Sequence, residues 1–103
     1  MQQTLAKVKN IEKFIQKYGE DVVISQTIAK MLEYKIQKYG EDIKRLGKEL
    51  KRFERKYKKE SSIFFDEFNN GRLGDDMDYI EWASLYQMYR RLVEKKAKLG
   101  EIE

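Results

Sequence analysis

The chain contains no cysteine, no histidine and no proline. Without cysteine it can form no disulfide and offers no thiolate, and without histidine it lacks the commonest general base and metal ligand. Most catalytic templates are thereby excluded, so the sequence predicts no enzyme, no cofactor and no metal centre. No stretch approaches the ~20 apolar residues that a membrane-spanning helix needs, and the N-terminus lacks the continuous apolar segment of a signal peptide. A soluble cytoplasmic protein with no membrane contact is therefore expected. The missing proline leaves nothing to interrupt helices. With 39% charged residues in a chain of 103, it points to one small, all-α domain.

What is present is a heptad pattern. The phrase IQKYGED occurs at Ile15 to Asp21 and again at Ile36 to Asp42, 21 residues or three heptads apart. Both copies thus fall in one register. With Val8 at position a, the a series runs Val8, Ile15, Val22, Ala29, Ile36, Ile43, Leu50, Tyr57, and the d series Ile11, Tyr18, Ser25, Leu32, Tyr39, Leu46, Phe53. Only Ser25 is polar and only Ala29 is small. Apolar residues held at a and d over seven heptads mark a helix-packing seam of the coiled-coil kind. A stripe this long in so short a chain commonly finds its cover in a second copy or another partner. The expected assembly is a homodimer that buries Leu32, Ile36, Tyr39, Ile43, Leu46, Leu50 and Phe53.

Charge is segregated along the chain. Residues 44–59 carry nine basic side chains against Glu49 and Glu54, whereas residues 60–81 carry seven acids against Arg72 alone. The two blocks can attract each other or serve separate partners. Lys44, Lys48, Lys51 and Arg55 share one side of a helix, whereas Arg45, Arg52, Lys56 and Lys59 spread round its polar surface; Lys44, Lys48, Lys51, Arg52 and Arg55 are the candidate contacts to phosphates of a nucleic acid. A solvated helix flank, or pairing with the acidic block, is the simpler reading, because no phosphate loop, zinc spacing or aromatic RNA-binding motif accompanies the run.

Periodicity predicts a helix from about residue 3 to Tyr18, then a break or kink near residues 19–26. There Gly19 can end one helix, and Asp21 or Ser25 can start the next. A long helix from about 27 to 58 should pass straight through Gly40. Ser61 and Ser62 are expected to open a short helix by accepting hydrogen bonds from free amides, and Asn69, Asn70 and Gly71 to close it. Asp75, Asp76 and Asp78 then mark the start of a last helix with an apolar stripe from Ile80 to Val93. These acids, with Glu81, lack the twelve-residue spacing of a calcium loop, and capping explains them without an ion. The expected fold is a helical bundle with a heptad-bearing region at 1–59 and, at 60–103, a short helix, a GRLGDD turn and a C-terminal helix that packs back. Trp82, Tyr86 and Tyr89 cluster on that last helix, where they could serve a homodimer core or a second protein equally.

From Phe53 to Leu92 the chain resembles a recurrent pattern in small prokaryotic proteins. The pattern comprises Phe53-Glu54, Tyr57, a serine pair, Phe64 or Phe65, Phe68, and then GRLGDDMDYIEW from Gly71 to Trp82. These are similar to the helical antitoxin-type components of toxin–antitoxin loci. The resemblance implies a role in binding and neutralising a cognate toxin protein. The most plausible contact region is then Gly71, Leu73, Asp75, Asp76, Asp78, Glu81, Trp82, Tyr86 and Tyr89. Lys58-Lys59-Glu60 departs from the pattern, which would place a glycine-containing turn there. A nucleic-acid-binding coiled coil and a purely structural assembly module are the alternatives.

Overall fold

Glycine and aspartate at the first YGED phrase divide the N-terminal heptads between two helices. In the computed structural model, which describes residues 2–101, α1 (Gln2–Tyr18) stops where Gly19 takes a left-handed φ of 87°. The Gly19 amide donates back to the Ile15 carbonyl (2.7 Å), closing the helix. Asp21 then starts α2 (Val22–Tyr57), its Oδ1 accepting from the Ile24 amide at 2.9 Å. The break therefore occupies residues 19–21 rather than 19–26. Asp21 satisfies a free amide at once, and the β-branched residues Val22, Val23 and Ile24 form the first helical turn.

The second YGED phrase, at residues 39–42, is helical throughout. Identical local sequence thus has opposite outcomes. A helical glycine costs only about 1 kcal/mol relative to alanine, so the packing of neighbouring residues decides whether the helix survives it. After Gly40 the chain continues into Ile43, Leu46, Leu50 and Phe53, and the last three are buried.

At the end of α2, Lys58 adopts the left-handed conformation with φ of 53°. The Lys59 amide donates to the Glu54 carbonyl at 3.2 Å, the hydrogen bond of a helix stop usually built with glycine. A lysine thus holds the left-handed position that glycine fills most easily. α3 (Ser61–Asn69) follows, and the chain turns away from it at Gly71, with φ of 70°. There the Arg72 amide reaches the Glu67 carbonyl and the Gly71 amide reaches the Phe68 carbonyl. Asp76 caps α4 (Met77–Gly100) by accepting from the Asp78 amide at 2.9 Å.

The serine pair departs from expectation. Glu60, not a serine, occupies the cap position of α3, and it makes no side-chain cap bond. Glu54 of α2 supplies the missing acceptor, its Oε2 taking the Ser61 amide at 2.9 Å. This releases the Ser61 hydroxyl toward the interior, where the residue is buried.

Residues group into two units, Met1–Glu33 and Tyr34–Glu103. In the second, α4 runs antiparallel to α2. A Cβ placed on Gly40 would lie 3.5 Å from Lys96 Nζ, and one on Gly47 would lie 3.9 Å from the Tyr89 ring. Further along, Phe53 stacks on Trp82 and Tyr57 meets Tyr79 with tilted rings, so numbers rise in one helix as they fall in the other. Leu50, Phe53, Phe64, Trp82 and Ala83 form the buried core, with Tyr57, Phe65, Phe68, Leu73 and Tyr79 packed around it. The indole of Trp82 is fully enclosed. Phe64 lies parallel to it at 3.8 Å between ring centroids, with Phe53 and Tyr57 stacked at 5.7 Å.

This arrangement corrects the expected dimer seam. Leu46, Leu50 and Phe53 are buried within one chain, leaving a second copy nothing to cover there. The a and d pattern is real, but over this stretch the chain's own C-terminal unit meets it. Leu32, Ile36, Tyr39 and Ile43 remain half-buried. In the first unit, none of the residues 3–33 is buried.

Candidate functional site

Several residues of the GRLGDDMDYIEW segment are occupied in building the fold. Gly71 supplies the left-handed turn after α3, Leu73 packs against the core, and Asp76 caps α4. Trp82, which the sequence places among possible partner contacts, is fully buried, and its Nε1 donates to Ser61 Oγ at 2.9 Å. It can influence a partner only through the helices it holds together. Gly71, Asp75, Asp76 and Glu81 are exposed. Among the described residues no group of three acidic, histidine or cysteine side chains could hold a metal ion.

Asp78 joins the basic and acidic blocks. Its Oδ2 accepts both from Lys56 Nζ, at 2.7 Å, and from the Tyr57 hydroxyl. The hydrogen bond from Lys56, followed by that from Tyr57, holds the Asp78 carboxyl below its ordinary range. Their bonds to Asp78 correspondingly raise the Lys56 ammonium and the Tyr57 phenol above theirs. Lys59 makes a second link to Glu67, at 2.6 Å. Part of the basic run is thus paired with the acidic block inside the chain, as the charge segregation allowed.

The other basic residues point elsewhere. Lys44, Lys48, Lys51, Arg52 and Arg55 are all exposed. At 100° per residue, Lys44, Lys48, Lys51 and Arg55 form one stripe on the side of α2 away from Leu46, Leu50 and Phe53. Arg52 pairs with Glu49 at 2.9 Å, whereas the four stripe residues make no ion pair among the described residues.

A different feature was hidden from sequence reading. Along α4, an open groove of about 510 Å³ is lined by Phe65, Gln87, Tyr89, Arg90, Arg91, Val93, Glu94 and Ala97. The Arg90 guanidinium lies 5.9 Å from the Phe65 ring centroid and 5.8 Å from that of Tyr86, and Tyr86 stacks on Tyr89. Two of the expected contact residues, Tyr86 and Tyr89, therefore gather here, half-buried, beside an exposed arginine. Phe65 and Arg90 are 25 positions apart and belong to no motif, so spacing alone could not have paired them. No family model, curated protein or solved structure matches the chain.

Proposed function

We propose that this chain is a protein–protein interaction module that holds its partner in the α3–α4 groove. The partner is the toxin-type protein that the resemblance of residues 53–92 implies, bound and neutralised in an antitoxin-like way. The observation that carries the proposal is the cluster of Tyr86, Tyr89 and Phe65 around the exposed Arg90. Tyrosine and arginine are enriched among the few side chains that dominate binding between proteins. A chain without histidine or cysteine, whose strongest motif is spent on capping and core packing, favours binding over catalysis. A homodimer through the whole stretch from Leu32 to Phe53 is no part of this reading, because its C-terminal residues are already covered.

The test is coexpression with the product of the neighbouring gene. Copurification should be weakened about tenfold by Arg90→Ala, an exposed change that leaves the core intact. If the two proteins never copurify, the toxin-directed proposal fails.

The free stripe of Lys44, Lys48, Lys51 and Arg55 favours a second reading, a nucleic-acid contact along α2. Affinity for duplex should then fall steeply with salt, and the slope should drop by about three when Lys48, Lys51 and Arg55 are changed to alanine. Binding that is absent or independent of salt dismisses it.

A further inference from the structure

The two IQKYGED copies differ in what covers them. The second lies where α2 runs beside α4, and its Tyr39 is half-buried in a groove with Arg91, Glu94 and Leu99. In the first copy, Tyr18 is 66% exposed. The same holds through the first unit, where Leu5, Val8, Phe14, Val22, Val23 and Met31 are also exposed. On α1, Leu5, Val8, Phe14 and Tyr18 flank the half-buried Ile11 and Ile15, so the apolar residues share one side of that helix. These are large apolar side chains, and an uncovered group of this size marks a place where something binds.

We propose that a second copy of this chain covers the apolar surface of residues 5–32. Three observations choose that occupant. First, the a and d positions of α1, Val8, Ile11, Ile15 and Tyr18, are all apolar, the 3.5-residue period that a partner helix of the same kind requires, and the series resumes on α2 at Val22 after the break at residues 19–21. Second, residues 2–33 carry five lysines against four acids, so two copies approach without net repulsion, whereas an anionic membrane or nucleic acid finds little attraction. With Val8 at a, Lys7 occupies g and Glu12 the following e, positions that attract each other between parallel copies. Third, the area reaches the lower bound of a specific interface. Of the seven large apolar side chains exposed in this unit, Leu5, Val8, Phe14, Tyr18 and Val22 fall at a, d or the flanking e and g positions, and at roughly 100 Å² each they offer about 500 Å² per copy, or about 1,000 Å² in a dimer.

Self-association through the first unit is independent of the α3–α4 groove, and either can fail without the other. Sedimentation equilibrium of the full chain between about 1 and 100 µM should show a reversible dimer. The double variant Val8→Glu, Tyr18→Glu should raise the dimer dissociation constant at least tenfold, while Arg90→Ala leaves it unchanged. Unfolding of the C-terminal unit, followed by Trp82 fluorescence in dilute monomer, should be the same in the double variant as in the parent. A chain that stays monomeric at 100 µM overturns the proposal, as does a dimer that the double variant does not weaken. Binding of monomeric chain to phosphatidylglycerol vesicles, lost in the double variant, would reassign the surface to a membrane and overturn it too.

Discussion

Removing the Ser61 hydroxyl should cost far more than removing a surface serine, because it strands the indole N–H of a tryptophan with no access to water. Trp82 is fully buried and Ser61 nearly so, and the 2.9 Å bond between them is the only partner shown for Nε1 among the described residues. Leaving a buried donor unsatisfied costs about 1–3 kcal/mol. A loss of about 2 kcal/mol in a unit of this size lowers the melting temperature by roughly 10 °C. Trp82→Phe removes the donor together with part of the stacking surface on Phe64 and Phe53, at a cost of about 1–3 kcal/mol from lost packing. In that background Ser61→Ala should cost less than about 0.5 kcal/mol, because no donor remains to strand. The double-mutant cycle therefore predicts a coupling energy of about 1–2 kcal/mol, measured by urea unfolding followed by far-ultraviolet circular dichroism. If Ser61→Ala is neutral in the parent chain, or if the two losses simply add, the serine is not the indole's acceptor and the reasoning is refuted.

Three further outcomes follow from the helix ends and the charge link. Lys58→Gly should stabilise the protein by about 1 kcal/mol, because glycine adopts the left-handed stop of α2 without a Cβ clash, and a loss in urea melts would show that the turn is wrong. Gly47→Ala should add roughly 1 kcal/mol, since the new methyl meets Tyr89 at an ordinary 3.9 Å and the helix gains propensity, and destabilisation would mean that α4 lies closer to α2 than described. Asp78 has a depressed pKa, so its contribution is present above the ordinary carboxylate value of about 4 and is lost as pH falls through the lower folded value. Lys56 and Tyr57 have raised pKa values, so theirs is present below about 10 and is lost as pH climbs through those raised values. Asp78→Asn should accordingly flatten the stability profile at both extremes of pH, and an unchanged profile would show that the link is unformed in solution.

Much of this fold is legible from residue order. The 3.5-residue period located the long helix, and Gly19, Asp21, Gly71 and Asp76 mark helix ends by conformational and capping preferences that act within four residues. Continuity through Gly40 was legible because the apolar series runs on past it, although the phrase around it is the one that breaks at Gly19. What escaped depends on contacts between distant residues. The seam carries no mark of whether α4 or another chain will cover it, so Leu46, Leu50 and Phe53 resembled dimer contacts until α4 was seen beside them. Ser61 has the signature of a cap, and only the carboxylate of Glu54, seven residues earlier, frees its hydroxyl for Trp82. Of the expected contact region, Tyr86 and Tyr89 gather beside Arg90, whereas Trp82 went to the core because a large aromatic on an amphipathic helix reads alike in either role.

The central claim is that the heptad series, interrupted at residues 19–21, divides into a C-terminal stretch that the chain covers itself and an N-terminal stretch that it leaves bare. Amide hydrogen exchange measured against protein concentration tests this most directly. Residues 46–57 and 79–89 should be protected to the same degree at 1 and 100 µM, whereas protection across residues 5–32 should be low when dilute and rise with concentration. Protection of 46–57 that vanishes on dilution, or strong protection of 5–32 at the lowest concentration, would contradict it.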